Sequence, residues 1–317
     1  AAVSEAGGLG SLAGALRTPE QLEADVAALR ARTARPFAVN LFEAQRRPGD
    51  PEAVARYAAA LAAEGLPLGE PRHDDDRLGE KLALMVELRP PVVSFTFGCP
   101  ARPTIDRLRA AGCAVWVTVT TPEEAVEAAG AGADALVIQG VEAGGHRGGF
   151  DDDAPGDYGL LALLQLVDAA VAVPLVAAGG IVTGRAVAAV LAAGASAAQV
   201  GTALLRTPEA GTSAPHRAAL AADGRRTGLT RAFSGRTARG IVNRFQREHA
   251  DAPSAYPEVH HLTTPLRAAA RVAGDAESIN LWAGQAYPLA REAPAGEIVR
   301  ALADEAAALL RELAAGA

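Results

Sequence analysis

The sequence predicts an α/β chain folded as a (β/α)8 TIM barrel, with a smaller, mostly helical insertion. Three observations predict it. Short apolar runs alternate with amphipathic helical stretches through the first two thirds of the chain, as repeated β–α units require. The runs are apolar almost throughout instead of alternating, which suits parallel strands covered on both faces. The glycine-rich turns follow the late runs, whereas an open dinucleotide-binding sheet carries its glycines after the first strand.

The strand candidates are 9–14 (LGSLAG), 37–42 (FAVNLF), 92–97 (VVSFTF), 114–119 (AVWVTV), 135–140 (ALVIQG), 174–179 (PLVAAG) and 198–203 (AQVGTA). Helices are expected between them, over 19–32, 51–64, 78–88, 104–111, 122–129, 158–171 and 184–193. Thr18 before Pro19 is a cap followed by a proline at the first helical position. Seven strands are one short of the barrel's eight. The segment Ala1–Gly8 reads as the end of a helix closed by glycine, so the first strand is expected upstream of Ala1. Residues 207–264 turn polar and carry no clear strand run, and are expected to form a helical lid. Residues 1–206 and 265–317 are then the barrel, with 265–272 and 295–315 helical in its wall.

Half of the 317 residues are apolar and 21% are charged, enough for a large core. The net charge of −7 argues against non-specific nucleic-acid binding. No apolar run reaches the ~18–20 residues that span a membrane. Two cysteines build no disulfide framework and point to a reducing, cytoplasmic setting. Oligomeric state is left open, a homo-oligomer included. The acidic runs 74–76 and 151–153 read as solvated loop charges.

Strand ends carry the chemistry of barrels because their loops converge on one mouth. The run at 135–140 opens into Gln139-Gly140-Val141-Glu142-Ala143-Gly144-Gly145-His146. Glycines such as Gly144 let backbone approach a flat or anionic ligand. Gln139 offers a donor and an acceptor to a heteroaromatic edge, and His146 is a candidate catalytic base. Gly179 and Gly180, with Gln199, Val200, Gly201 and Thr202, end the last two strands, where barrels often hold a phosphate. A late phosphate site, a glycine-lined loop and a glutamine edge fit FMN, and no dinucleotide fingerprint supports FAD.

Weaker candidates remain. Cys99 is read as a small pocket-lining residue and Cys113 as core. His249, His260 and His261 are poorly spaced for one metal ion, and no metal site is expected. The basic stretch Ser234–Gly240 either touches an anionic substrate or holds the lid loops. Trp282 is either a lid anchor or a ring beside the cofactor.

EAGGHRG after a strand, AAGGI, QVGT, VNLF at 39–42, FGCP at 97–100 and NLWAGQ at 280–285 together resemble the nitronate monooxygenase family. The resemblance spans residues 9 to about 290, and EAGGH is its most specific piece. It implies a TIM barrel with FMN at its mouth under a helical domain. It also implies FMN contacts at Asn40, Gln139, Gly144, Gly180 and Gln199–Thr202, and catalysis by His146. The implied reaction oxidises a small anionic nitronate with O2 to a carbonyl compound and nitrite. An FMN-dependent enoyl-acyl-carrier-protein reductase or NAD(P)H:quinone reductase on the same scaffold is the alternative. A flavin-free barrel lyase or isomerase of a phosphorylated metabolite is the alternative of another class.

Overall fold

The computed structural model describes residues 1–45, 47–222 and 224–316. The chain starts with a short helix, α1 (Ala2–Glu5), and enters seven β–α repeats. The strands are β1 (Gly10–Ala13), β2 (Phe37–Phe42), β3 (Val92–Thr96), β4 (Ala114–Val119) and β5 (Ala135–Gln139). After β5 comes a two-residue strand, β6 (Gly145–His146), and then β7 (Leu175–Ala178) and β8 (Ala197–Gln199). The helices between them are α2 (Pro19–Arg30), α3 (Pro51–Ala63), α4 (Leu78–Leu88), α5 (Arg102–Ala110), α6 (Pro122–Ala131), α7 (Leu160–Asp168) and α8 (Gly184–Ala192). Thr18 does cap α2, in a box closed by Gln21, and Thr121 and Thr183 cap the starts of α6 and α8.

All seven main strands pair in parallel in the order β1-β2-β3-β4-β5-β7-β8. The sheet is curled as in a TIM barrel, with one opening. Among the described residues β1 pairs with β2 alone and β8 with β7 alone. Ser11 and Ala13 on one edge, and Ala197 and Gln199 on the other, are exposed. The gap beside the first strand that the register requires is therefore present.

Strand alternation divides the side chains into two layers. Val39, Leu41, Val93, Phe95, Val115 and Met85 build one cluster under the early helices. Val117, Leu136, Ile138, Leu163 and Ala177 build a second under the late ones. The intervening positions face the lumen, where Trp116, Val137, Val176 and Ala178 form an apolar floor. Toward the C-terminal strand ends the lumen turns polar: Ser94 and Thr96 both donate to Asn40 Oδ1, at 2.9 and 3.1 Å.

Beyond β8 lie α9 (Ala214–Ala221), β9 (Thr227–Thr230), β10 (Ala238–Ile241), α10 (Arg244–Glu248) and α11 (Glu258–Ala273). This region departs from the sequence expectation in two ways. Residues 207–264 are not purely helical, because β9 and β10 pair antiparallel and β10 also pairs with β6. This small sheet is separate from the barrel sheet and rests on the loop that carries His146. The expected boundary at 264/265 also falls inside α11, which runs through Pro265. Leu262 and Leu266 of α11 pack on Val54, Tyr57 and Leu61 of α3. The long α12 (Ala295–Gly316) lies along α8, close enough that a Cβ at Gly184 would meet Glu305 Cβ at 2.5 Å.

The two acidic runs are solvated only in part: Asp75, Asp151 and Asp153 are exposed, whereas Asp74, Asp76 and Asp152 are half-buried and paired. Asp76 pairs with the buried Lys81 at 2.6 Å, and Asp74 with His261 at 2.9 Å. Asp152 accepts from Arg231 Nε at 2.9 Å and from the Thr237 amide at 3.0 Å. It thereby latches the loop after β6 to the insertion.

Candidate active site

Gln139, Gly144, Gly179, Gly180, Gln199, Val200, Gly201 and Thr202 line one cavity of about 140 Å3 at the C-terminal strand ends. The three glycine turns lie on one rim of the barrel, as their positions after β5, β7 and β8 require. Gly179 and Gly180 have φ of +117° and +68°, which L side chains rarely adopt. Such turns gather successive amides into an anion-binding concavity. The amides of Gly180, Gly201 and Thr202 make no hydrogen bond to another described residue. A Cβ at Gly201 would meet nothing within 4 Å. These donors and this space fit the phosphate end of a flavin mononucleotide. Asn40 does not line this cavity; it sits deeper in the polar lumen.

The segment Ile279–Gln285 closes the cavity from the other side. Gly284 N donates to Thr202 Oγ1 at 3.0 Å, and Gln285 N to the Glu142 carbonyl at 3.0 Å. A Cβ on Gly144 would stand 2.4 Å from Gly284 N, so glycine is required where the two backbones touch. The NLWAGQ motif thus staples the β5 and β8 loops together.

Gln139 is committed to the loop. Its Oε1 accepts from the Gly148 amide at 2.9 Å and from Arg147 Nη1 at 3.1 Å. Its Nε2 donates to the His146 carbonyl at 3.1 Å. One amide hydrogen is left for a ligand. Arg147 is buried and spends its guanidinium on backbone carbonyls, including Gly140 at 2.7 Å and Gly156 at 2.8 Å. Arg236 stacks over Phe97 at 3.9 Å and donates to Gln45, Gly149 and Arg147. Arg239 donates to Val141 O and Thr227. Arg236 and Arg239 thus hold the loops of the insertion, and Arg236 also lines a larger cavity beside Phe97.

His146 sits between the glycine loops and this lid. Its ring lies 5.7 Å from Phe97, 5.9 Å from Tyr256 and 5.6 Å from Trp282, centroid to centroid. Its Nε2 is 2.8 Å from Ser234 Oγ. Burial among these rings, aided by the Arg236 charge, pushes its pKa down to about 3. It is neutral at neutral pH and therefore able to accept a proton. Phe97 and Tyr256 also line a second cavity of about 610 Å3, which Glu43, Asp50, Asp151 and Asp153 rim. Sequence reasoning missed Tyr256, a single tyrosine in a loop with no motif around it. Ser234 is legible in the sequence only as the first residue of the basic stretch. Trp282 anchors the lid: it bridges to Gly240 and packs with Phe233.

Burial also pushes His216 to about 4 and His260 to about 3. An unfolded histidine titrates near ~6.5. Below that pH the unfolded chain binds more protons than the fold, so stability is full above about pH 6.5 and falls as pH drops. Each histidine adds at most ~1.4 kcal/mol per pH unit. We expect Tm to fall between pH 7 and pH 5, and His260→Asn to make that fall shallower. A Tm independent of pH in this window would contradict the assignment.

Glycine loops gathered at a barrel mouth, with a ring-enclosed histidine on the loop after β5, outline the kind of concave site that small-molecule barrel enzymes use. Comparison with known proteins makes this specific. The family model described as nitronate monooxygenase matches residues 1–305. The nitronate monooxygenase of Pseudomonas aeruginosa is 43% identical, covering 96% of this chain and 91% of that one. That of Paraburkholderia phytofirmans is 38% identical, covering 96% and 87%. The structure of nitroalkane oxidase from Streptomyces ansochromogenes superposes with a TM-score of 0.94 at 52% identity, covering 98% and 92%. FabK from Thermotoga maritima superposes at 0.74 with 26% identity, covering 100% and 90%. The chain belongs to the nitronate monooxygenase family, and it is an oxidoreductase.

Proposed function

We propose that the chain binds FMN and oxidises alkyl nitronates with O2 to a carbonyl compound and nitrite, with His146 as the base that prepares neutral nitroalkanes. The observation that carries this reading is the neutral, ring-enclosed His146, two residues along the loop from Gly144, which lines the glycine-loop cavity. The amides of Gly180, Gly201 and Thr202 would hold the phosphate. Asn40, Gln139 and Gly144 would border the rest of the cofactor. When bound, FMN supplies the electron transfer to O2. The protein supplies placement, a dry site and a proton acceptor. Residues 207–264, with the rest of α11, form the lid that excludes water. No helix among the described residues is long and apolar enough to cross a membrane. Two cysteines in 317 residues are too few for a disulfide framework, which supports a cytoplasmic setting.

The visible spectrum of the purified protein tests this. We expect flavin absorbance that bleaches anaerobically with a nitronate and not with NAD(P)H, and nitrite release in air. Bleaching by NAD(P)H alone would move the protein to the reductases of this scaffold. A colourless protein that takes up no FMN would overturn the reading.

A further inference from the structure

The Ser234 hydroxyl has a single hydrogen and two neighbours that could take it. His146 Nε2 lies at 2.8 Å, and the backbone carbonyl of Arg236 at 3.2 Å. The carbonyl can only accept. If the hydroxyl donates to it, Nε2 must carry a hydrogen and donate to Oγ, and both hydrogen bonds are made. If the hydroxyl donates to Nε2 instead, the Arg236 carbonyl, on a residue 1% exposed, loses its partner. The first arrangement satisfies every group and the second does not.

The serine is held where it is. It is 2% exposed and lies in a turn closed by Gly235 N donating to Arg231 O at 2.7 Å. Gly235 has φ of +76°, and a Cβ there would meet Ala255 O at 2.2 Å, so the turn admits no side chain. On one side Phe233 stacks on Phe245 with centroids 4.9 Å apart. The histidine backbone is fixed to the same unit, because His146 pairs with Ala238 in the small sheet. His146 Nδ1 has no partner among the described residues, and the residue keeps part of its surface open.

We infer that Ser234 is a positioning residue that fixes His146 as the Nε2–H tautomer, leaving the Nδ1 lone pair as the proton acceptor. The chain Nε2–H···Oγ–H···O=C also points a carbonyl dipole at the imidazolium that forms when Nδ1 takes a proton. It does for His146 what a carboxylate does in a catalytic triad, without adding a charge. This rests on the reading of His146 as the base.

The test begins with the wild-type protein as purified, labelled with nitrogen-15 histidine. Long-range proton–nitrogen spectra separate the two tautomers, and loss of one signal set in His146→Asn assigns this residue among the six histidines. We expect hydrogen on Nε2. Hydrogen on Nδ1 overturns the proposal, with no variant needed. In Ser234→Ala we expect a mixed or switched tautomer. The kcat for a neutral nitroalkane should fall roughly 10- to 100-fold. KM should stay within about threefold, and flavin content should not change. Ser234→Thr, which restores a hydroxyl, should restore both tautomer and rate. A Ser234→Ala protein that keeps Nε2–H and full kcat would also overturn it. Failure of the base assignment is read separately: His146→Asn would then leave nitroalkane turnover intact, whatever the wild-type tautomer.

Discussion

Replacing His146 with asparagine is expected to cut turnover of neutral nitroalkanes by about 10²–10⁴-fold, the usual worth of a general base. Turnover of a preformed nitronate should fall far less, since its proton is already gone. Flavin should stay bound, because the proposed phosphate-end donors, the amides of Gly180, Gly201 and Thr202, lie on other loops. Phe97 and Tyr256 also pack on each other, and Trp282 on Phe233, so the ring cage need not collapse. A pKa of about 3 belongs to the site before substrate enters. A nitronate forming beside the ring brings the opposite charge that the empty cage lacks, and this raises the basicity of the imidazole as the proton moves. With His146 neutral down to about pH 4, nitroalkane turnover should show no loss from its protonation between pH 5 and 7. Steady-state kinetics with both substrate forms decides the matter. Equal losses on both would make His146 an electrostatic partner of the anion, and loss of flavin would make it structural.

The barrel is legible in the sequence because its signal is local. Six of the seven main strands lie within one residue of the apolar runs, whereas β8 ends at Gln199, four residues before the expected end, because Thr202–Leu204 turns into a short 3-10 helix. The glycine turns after β5, β7 and β8 mark the mouth by their order along the chain. What escapes depends on partners distant in sequence. β6 is two residues long, and β10 is ARGI, whose arginine breaks the apolar signature. β6 exists because β10 is there to pair with it, and β10 because β9 and β6 flank it. Asp152 looks like one of three loop aspartates until Arg231, Thr237 and Ser254 arrive from the insertion. The site divides the same way. Gly144, Gly180 and Gly201 can be placed on one cavity from strand order alone. Gln139 cannot be seen to spend both ends of its amide on Gly148, Arg147 and His146, because nothing in a glycine-rich loop announces how it folds back.

Arg147→Met is expected to produce the largest loss of stability of any single change near the site. The side chain is 2% exposed and sits among carbonyl oxygens. Nη1 donates to Gly140 O at 2.7 Å, Gln139 Oε1 at 3.1 Å and Gln139 O at 3.3 Å, and Nη2 to Gly156 O at 2.8 Å. Burial lowers the guanidinium pKa, yet the group stays charged, since arginine is not deprotonated in proteins. Methionine fills similar space and offers no donor, so Gly156 O loses its partner, while Gly140 O and Gln139 Oε1 keep only the amides of Ala143 and Gly148. Leaving a buried acceptor unsatisfied typically costs ~1–3 kcal/mol, and a hydrogen bond from a charged donor is worth ~1.5–3 kcal/mol. Lysine would replace the planar fork with one point charge that cannot reach all four acceptors, so Arg147→Lys should fall between. The effect should also reach the chemistry. Gln139, released from Arg147, no longer holds the His146 carbonyl firmly, so flavin retention and nitroalkane turnover should both drop in the methionine variant. Urea unfolding of the three proteins checks the energetic part. A loss below about 1 kcal/mol for Arg147→Met would mean that the loop carbonyls find other donors, and that the arginine is not what fixes the loop carrying His146.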